Sequence, residues 1–171
     1  MRSSETLVVT TPTDREIRMT RVFDAPRSLV FDAMTKPELL RRWFFGPDGW
    51  SLAVCEIDPK VGGKYRYVWR RDSDGTEMGM SGVILEIVPP ERFVGTERFD
   101  ESWYPGEAVG TIVLIEKDGR TTLTNTIRYE SKEARDAVLR SPAKDGMEVG
   151  YDRLASVLAS LQAGRSSHDE N

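Results

Sequence analysis

From Met147 onward the apolar positions recur at spacings of four, three, four and three, through Tyr151, Leu154 and Leu158 to Leu161. That rhythm predicts one face of an α-helix over residues 145–162. Ala155 and Val157 widen the stripe, and Glu148, Asp152, Arg153, Ser156 and Ser160 form the polar side. Such a stripe is unstable alone in water, so the helix needs an apolar partner. The chain before it reads mostly as strands, which makes that partner a sheet.

Residues 16–24 alternate, with Ile17, Met19 and Val22 as candidate inward positions and an unsettled phase at Phe23. Asp24-Ala25-Pro26 opens a helix whose buried face is Leu29, Val30, Ala33 and Met34. Thr35-Lys36-Pro37-Glu38 has the form of a capping box and starts a second short helix carrying Leu39, Leu40 and Trp43. From Ser51 the period becomes two. Leu52, Val54 and Ile57 mark one strand, and Tyr65, Tyr67 and Trp69 one face of the next. Asp72-Ser73-Asp74-Gly75 turns into a long strand, 76–88, where Gly79 and Gly82 permit a bulge or a close approach. Strands follow at 93–100, 109–116 and 121–129, the last two joined across Lys117-Asp118-Gly119-Arg120. Ser131 caps a helix through Leu139, and Pro142 and Gly146 separate it from the final one.

This order predicts an α+β domain over residues 16–162: a curved antiparallel sheet of six or seven strands around a long C-terminal helix, with two short helices after the first strand. Residues 1–15 and 163–171 read as loose termini.

Composition narrows the chemistry. A net charge of −4 and a pI near 5.2 argue against a general grip on nucleic acid. No window reaches the roughly 20 apolar residues of a membrane span, and the first residues lack the form of a signal peptide. The single cysteine, Cys55, has no intramolecular partner, which fits a reducing cytoplasm. The single histidine, His168, stands in the polar tail. A Ser-His-Asp or Cys-His pair and a histidine-rich zinc site are therefore excluded from the folded part, and neither metal nor cofactor is expected.

Several segments together resemble a known family. They are Val22-Phe23-Asp24-Ala25-Pro26; Lys36-Pro37-Glu38-Leu39 leading to Trp43 and Gly46-Pro47; and Val61-Gly62-Gly63-Lys64-Tyr65-Arg66-Tyr67. Gly82-Val83-Ile84-Leu85-Glu86-Ile87-Val88-Pro89-Pro90-Glu91-Arg92 and Gly150-Tyr151 with Leu154 complete the set. Residues 16–161 are similar to bacterial proteins related to the C-terminal domain of the heat-shock chaperone ATPase activator. These belong to the SRPBCC superfamily, and the resemblance implies its START-like, pollen-allergen-like helix-grip fold. The superfamily includes lipid carriers, co-chaperones and polyketide cyclases, so fold alone does not choose among functions.

The expected site lies between the last helix and the concave face of the sheet, lined by Tyr67, Trp69, Met80, Trp103, Asn125, Ile127, Met147, Tyr151 and Leu154. Asn125 interrupts the apolar series Leu123–Ile127 and can orient a ligand, or satisfy neighbouring backbone. Trp103 and Tyr104 stand in a Pro/Gly loop suited to gating or partner contact. Tyr67, Trp69, Met80 and Met147 serve equally as core. Glu97, Arg98, Asp100 and Glu101 read as solvated strand edges, and Lys64, Arg66, Arg70 and Arg71 as a basic outer edge. The leading reading is non-catalytic binding of a small apolar or amphipathic molecule. The alternatives are a co-chaperone-like module whose partner is a chaperone, and a cyclase-like enzyme. A dimer is compatible with the sequence.

Overall fold

The structure is a computed structural model that describes residues 6–101, 104 and 106–169, with side chains to 164. Trp103 falls outside the described residues. Asp118 and Gly119 both carry positive φ, 55° and 76°, the backbone of a two-residue hairpin turn. That turn joins β7 (Ala108–Lys117) to β8 (Arg120–Arg128). Around this hairpin an eight-stranded antiparallel sheet runs in the order β1 (Val8–Thr10), β2 (Glu16–Phe23), β8, β7, β6 (Arg92–Phe99), β5 (Glu77–Val88), β4 (Lys64–Arg71), β3 (Trp50–Ile57). The short helices α1 (Arg27–Thr35) and α2 (Pro37–Leu40) follow β2; α3 (Lys132–Arg140) and α4 (Ala143–Asp169) close the chain.

The expected α+β helix-grip architecture is what the chain adopts, with differences of detail. There are eight strands rather than six or seven, because residues 8–10 pair with β2 and Leu7 enters the core at 6% exposure. The stretch read as a loose leader thus supplies an edge strand. The last helix starts at Ala143 and continues through Asp169, so Gly146 lies inside it and Pro142 alone marks the break. The Thr35–Glu38 capping box does not form: the Thr35 hydroxyl donates back to Phe31 O at 2.8 Å, and Lys36 is the N-cap of α2. Ser131 does cap α3, accepting from Ala134 N at 3.0 Å.

The inward phase of β2 is Ile17, Met19, Arg21 and Phe23, not Val22. Arg21 is only 2% exposed and reaches Asp152 of α4 at 2.6 Å. A bulge between Leu52 and Val54 shifts β3 so that Leu52 and Cys55 both face the core. Gly82 stands where β5 and β6 part, and any β-carbon there would collide with Thr96 O and the Tyr65 ring. The Tyr65 hydroxyl occupies the gap and donates to Thr96 O.

Helix α4 crosses the concave face. Asp152 meets Arg21, and further along Gln162 donates to Asp24 O at 2.9 Å. The helix therefore runs in the direction of β2, with Met147 toward the Ile17 end and Leu158 toward the Phe23 end. Tyr151, Leu154 and Leu158 are almost fully buried, as are Leu114, Leu123 and Phe23. Each such side chain contributes roughly 1.5–3 kcal/mol.

Candidate functional site

Along β6 the concave positions are Phe93, Gly95, Glu97 and Phe99. The ladder aligns Phe93 with Ile112, Gly95 with Gly110, and Glu97 with Ala108. Across β7 and β8 the rows continue from Ile112 to Asn125 and from Gly110 to Ile127. Gly95 and Gly110 bring no side chain here and Ala108 only a methyl; the Phe93 and Tyr65 rings fill the room over Gly95, 3.2 and 3.3 Å from where its β-carbon would lie, which leaves the space over Gly110. Into that space Glu97 folds its carboxyl: a β-carbon on Gly110 would lie 3.2 Å from Glu97 Oε1 and 3.9 Å from Asn125 Oδ1. The Asn125 amide donates to the Tyr151 hydroxyl at 3.5 Å. Glu97, Asn125 and Tyr151 therefore form one polar group on a face that, Arg21 and Thr121 aside, is mainly apolar and aromatic.

Glu97 is the unexpected member. Read from the sequence as a solvated strand edge, it instead points inward, because it shares the strand phase of Phe93 and Phe99. No hydrogen bond or ion pair engages its carboxyl among the described residues. Loss of hydration pushes its pKa from 4.5 up to about 7. It still keeps part of its surface accessible.

The surroundings of Glu97 are phenolic. Its charge raises the pKa values of Tyr65, Tyr67, Tyr104, Tyr129 and Tyr151, although burial is the larger cause for each. For Tyr151 the result is about 12, with the Asn125 hydrogen bond and Arg21 opposing the rise. Tyr104 stacks edge-on against Tyr129, with ring centroids 5.2 Å apart, and against Phe99 at 6.2 Å. Together these three rings close the end of the sheet nearest Glu97.

The residues anticipated from the sequence divide by position. Asn125, Ile127, Met147 and Tyr151 gather at the Glu97 end, and Ile127 and Met147 stay half-buried with surface to offer. Tyr67 and Met80 are register partners on β4 and β5, both buried. Trp69 packs edge-on to Phe44 and donates to Phe44 O at 3.0 Å, an anchoring contact beneath α2. Leu154 has no exposed surface and belongs to the packed part of the grip. Glu97 and Tyr129 were not anticipated. The Phe93-Val94-Gly95-Thr96-Glu97-Arg98-Phe99 alternation carried the signal for Glu97, but a charge at an inward position hides it.

The basic outer edge is largely neutralised: Arg66 grips Asp100 at 2.7 Å, Arg70 meets Glu77 and Arg71 meets Asp74. Two open hollows lie outside the grip. One of about 590 Å³ is bordered by Thr13–Glu16 and Arg128, and one of about 440 Å³ by Lys64, Arg66, Arg98 and Glu107 among others. Charged side chains dominate the first, whereas the second also presents Tyr65, Gly82, Val83 and Thr96. No helix among the described residues is long and apolar enough to cross a membrane.

A curved antiparallel sheet closed by one long helix defines a START-like helix-grip domain of the SRPBCC class. Residues 24–159 match the activator of Hsp90 ATPase homolog 1-like protein family, and the chain belongs to it. A crystal structure of a Rhodobacter sphaeroides protein superposes with a TM-score of 0.85 at 32% identity, covering 91% of this chain and 99% of that one. A Silicibacter pomeroyi protein of the same family gives 0.67 at 21%, covering 85% and 99%. An HSP90 activator from Plasmodium falciparum gives 0.51 at 25%, covering 67% and 72%. No curated protein matches the chain.

Proposed function

We propose that this protein binds a small amphipathic molecule between the first turns of α4 and the sheet, holding its polar end at Glu97, Asn125 and Tyr151. The observation that carries the reading is Glu97: a carboxyl turned into a largely apolar face beside Gly110, with no partner among the described residues. Leaving such a group unengaged is costly, and a ligand with a complementary polar end relieves the cost. Ile127 and Met147 offer adaptable apolar surface alongside it. The experiment is titration of the purified protein with decanol below its solubility limit, followed by calorimetry or native mass spectrometry. Met147→Trp and Ile127→Trp, which fill this end, are expected to abolish binding; Val83→Trp on the outer face is not. Binding that survives the filling variants would move the site elsewhere.

A second reading, a chaperone-binding module, draws on the family and on the likeness to the Plasmodium activator. It predicts co-purification with a bacterial Hsp90-type ATPase and a change in that ATPase's turnover. Unchanged turnover at saturating protein would remove it.

A further inference from the structure

The chemistry around Glu97 also bears on which amphipathic molecule fits, an inference that rests on the binding site proposed above. A carboxyl in an apolar setting discriminates sharply among head groups. It repels an anion, gains little from an alcohol, and gains most from a cation that brings the charge it lacks.

Among the described residues, the elements packed around it supply no such cation. From β2 comes Arg21, but its guanidinium is held by Asp152 at 2.6 Å. From β8 come Asn125 and, just past the strand, Tyr129; from β4 come Tyr65 and Tyr67; from α4 comes Tyr151. Glu107, on the β6–β7 connection, is directed to Arg98 at 3.8 Å. What surrounds the carboxyl is therefore aromatic. Tyrosine faces attract ammonium groups, and a carboxylate among aromatic rings is a general solution for recognising an amine.

We propose that the interior site selects an amphipathic amine, its ammonium group paired with the Glu97 carboxylate among the surrounding tyrosines and its apolar body against Ile127 and Met147. Head-group choice then resides in one side chain, while Asn125 and Tyr151 supply orientation.

The test compares decylamine, decanol and decanoic acid, all below micelle formation, on the wild-type protein near pH 8 by calorimetry. The amine is expected to bind about tenfold tighter than the alcohol, with the carboxylate weakest. Glu97→Gln is expected to bring the amine down to the level of the alcohol while leaving alcohol binding in place. Glu56→Gln removes the same charge from the exposed outer surface and controls for general attraction by a chain of net charge −4; it is expected to leave the amine preference intact. Decanoate binding as tightly as the amine, or equal amine losses in the two variants, would overturn the head-group assignment while leaving the binding site standing. If none of the three probes binds, the site itself falls with it. The wild-type comparison decides even if a variant fails to fold.

Discussion

The two ends of α4 do different work against the same sheet. Toward the Leu158 end the apolar residues Leu158, Phe23, Leu114 and Leu123 are all buried to 2% exposure or less. At the Met147 end Tyr151 contacts Asn125, Met147 and Ile127 keep part of their surface accessible, and the Glu97 carboxyl has no partner among the described residues. Tyr151 and Arg21 mark the border between them, Tyr151 lying edge-on to Phe23 at 5.9 Å and contacting Asn125. One helix thus carries both buried apolar packing and the residues of the proposed site.

The strongest way to break this contrast is to cut the same helix at both ends. Leu158→Ala is expected to cost about 2–5 kcal/mol in urea unfolding, as a full cavity forms where nothing can relax. Met147→Ala, at the open end, is expected to cost under about 1 kcal/mol. Similar losses at both positions would show that the two ends are packed alike.

Next in size is the pH response of Glu97. Its pKa rises on folding from 4.5 to about 7, so the folded state binds the proton more tightly than the unfolded one. Stability is therefore greatest below pH 4.5 as far as this group is concerned, and falls as pH rises through about 7. The loss attributable to it is on the order of 3 kcal/mol. Thermal melts across this range are expected to show the decline in the wild type and its absence in Glu97→Gln, which should be the more stable of the two at pH 8. Identical pH profiles would place Glu97 in contact with bulk water.

Asp152→Asn leaves the Arg21 guanidinium buried without its countercharge, and its Nε already lacks a partner among the described residues. The expected loss is about 2 kcal/mol by chemical denaturation. A negligible change would mean that Arg21 is paired through water instead.

The smallest effect sharpens the geometry of the floor. Gly110→Ala sets a methyl 3.2 Å from Glu97 Oε1, closer than a comfortable contact. The carboxyl is expected to shift by a few tenths of an ångström, costing about 0.5 kcal/mol or less in stability. Its titration, followed by carboxyl-carbon NMR, should move. An unmoved titration would place the carboxyl away from Gly110.

Most of the fold was written locally. The stripe Met147–Leu161, the alternation in β4 to β8, the Asp118-Gly119 turn and the Ser131 cap each need only neighbours in the chain, so periodicity and turn chemistry sufficed to read them. The edge strand β1 was not legible, because three residues become a strand only once β2 offers its free edge. Of the site, Asn125, Ile127, Met147 and Tyr151 were legible as inward positions of regular elements. Glu97 and Arg21 were not: both are charged residues at inward positions, and pattern reading assigns charge to solvent. Where a charge goes inside depends on what opposes it. For Arg21 that is Asp152, a residue 131 positions away. For Glu97 it is the small residues Gly110 and Ala108 on the neighbouring strand β7. Sequence alone determined the elements and their apolar faces, which follow from local periodicity; the tertiary structure decided where the interface closes and where a carboxyl stays inside it, because strand register and distant partners set the volume around each side chain.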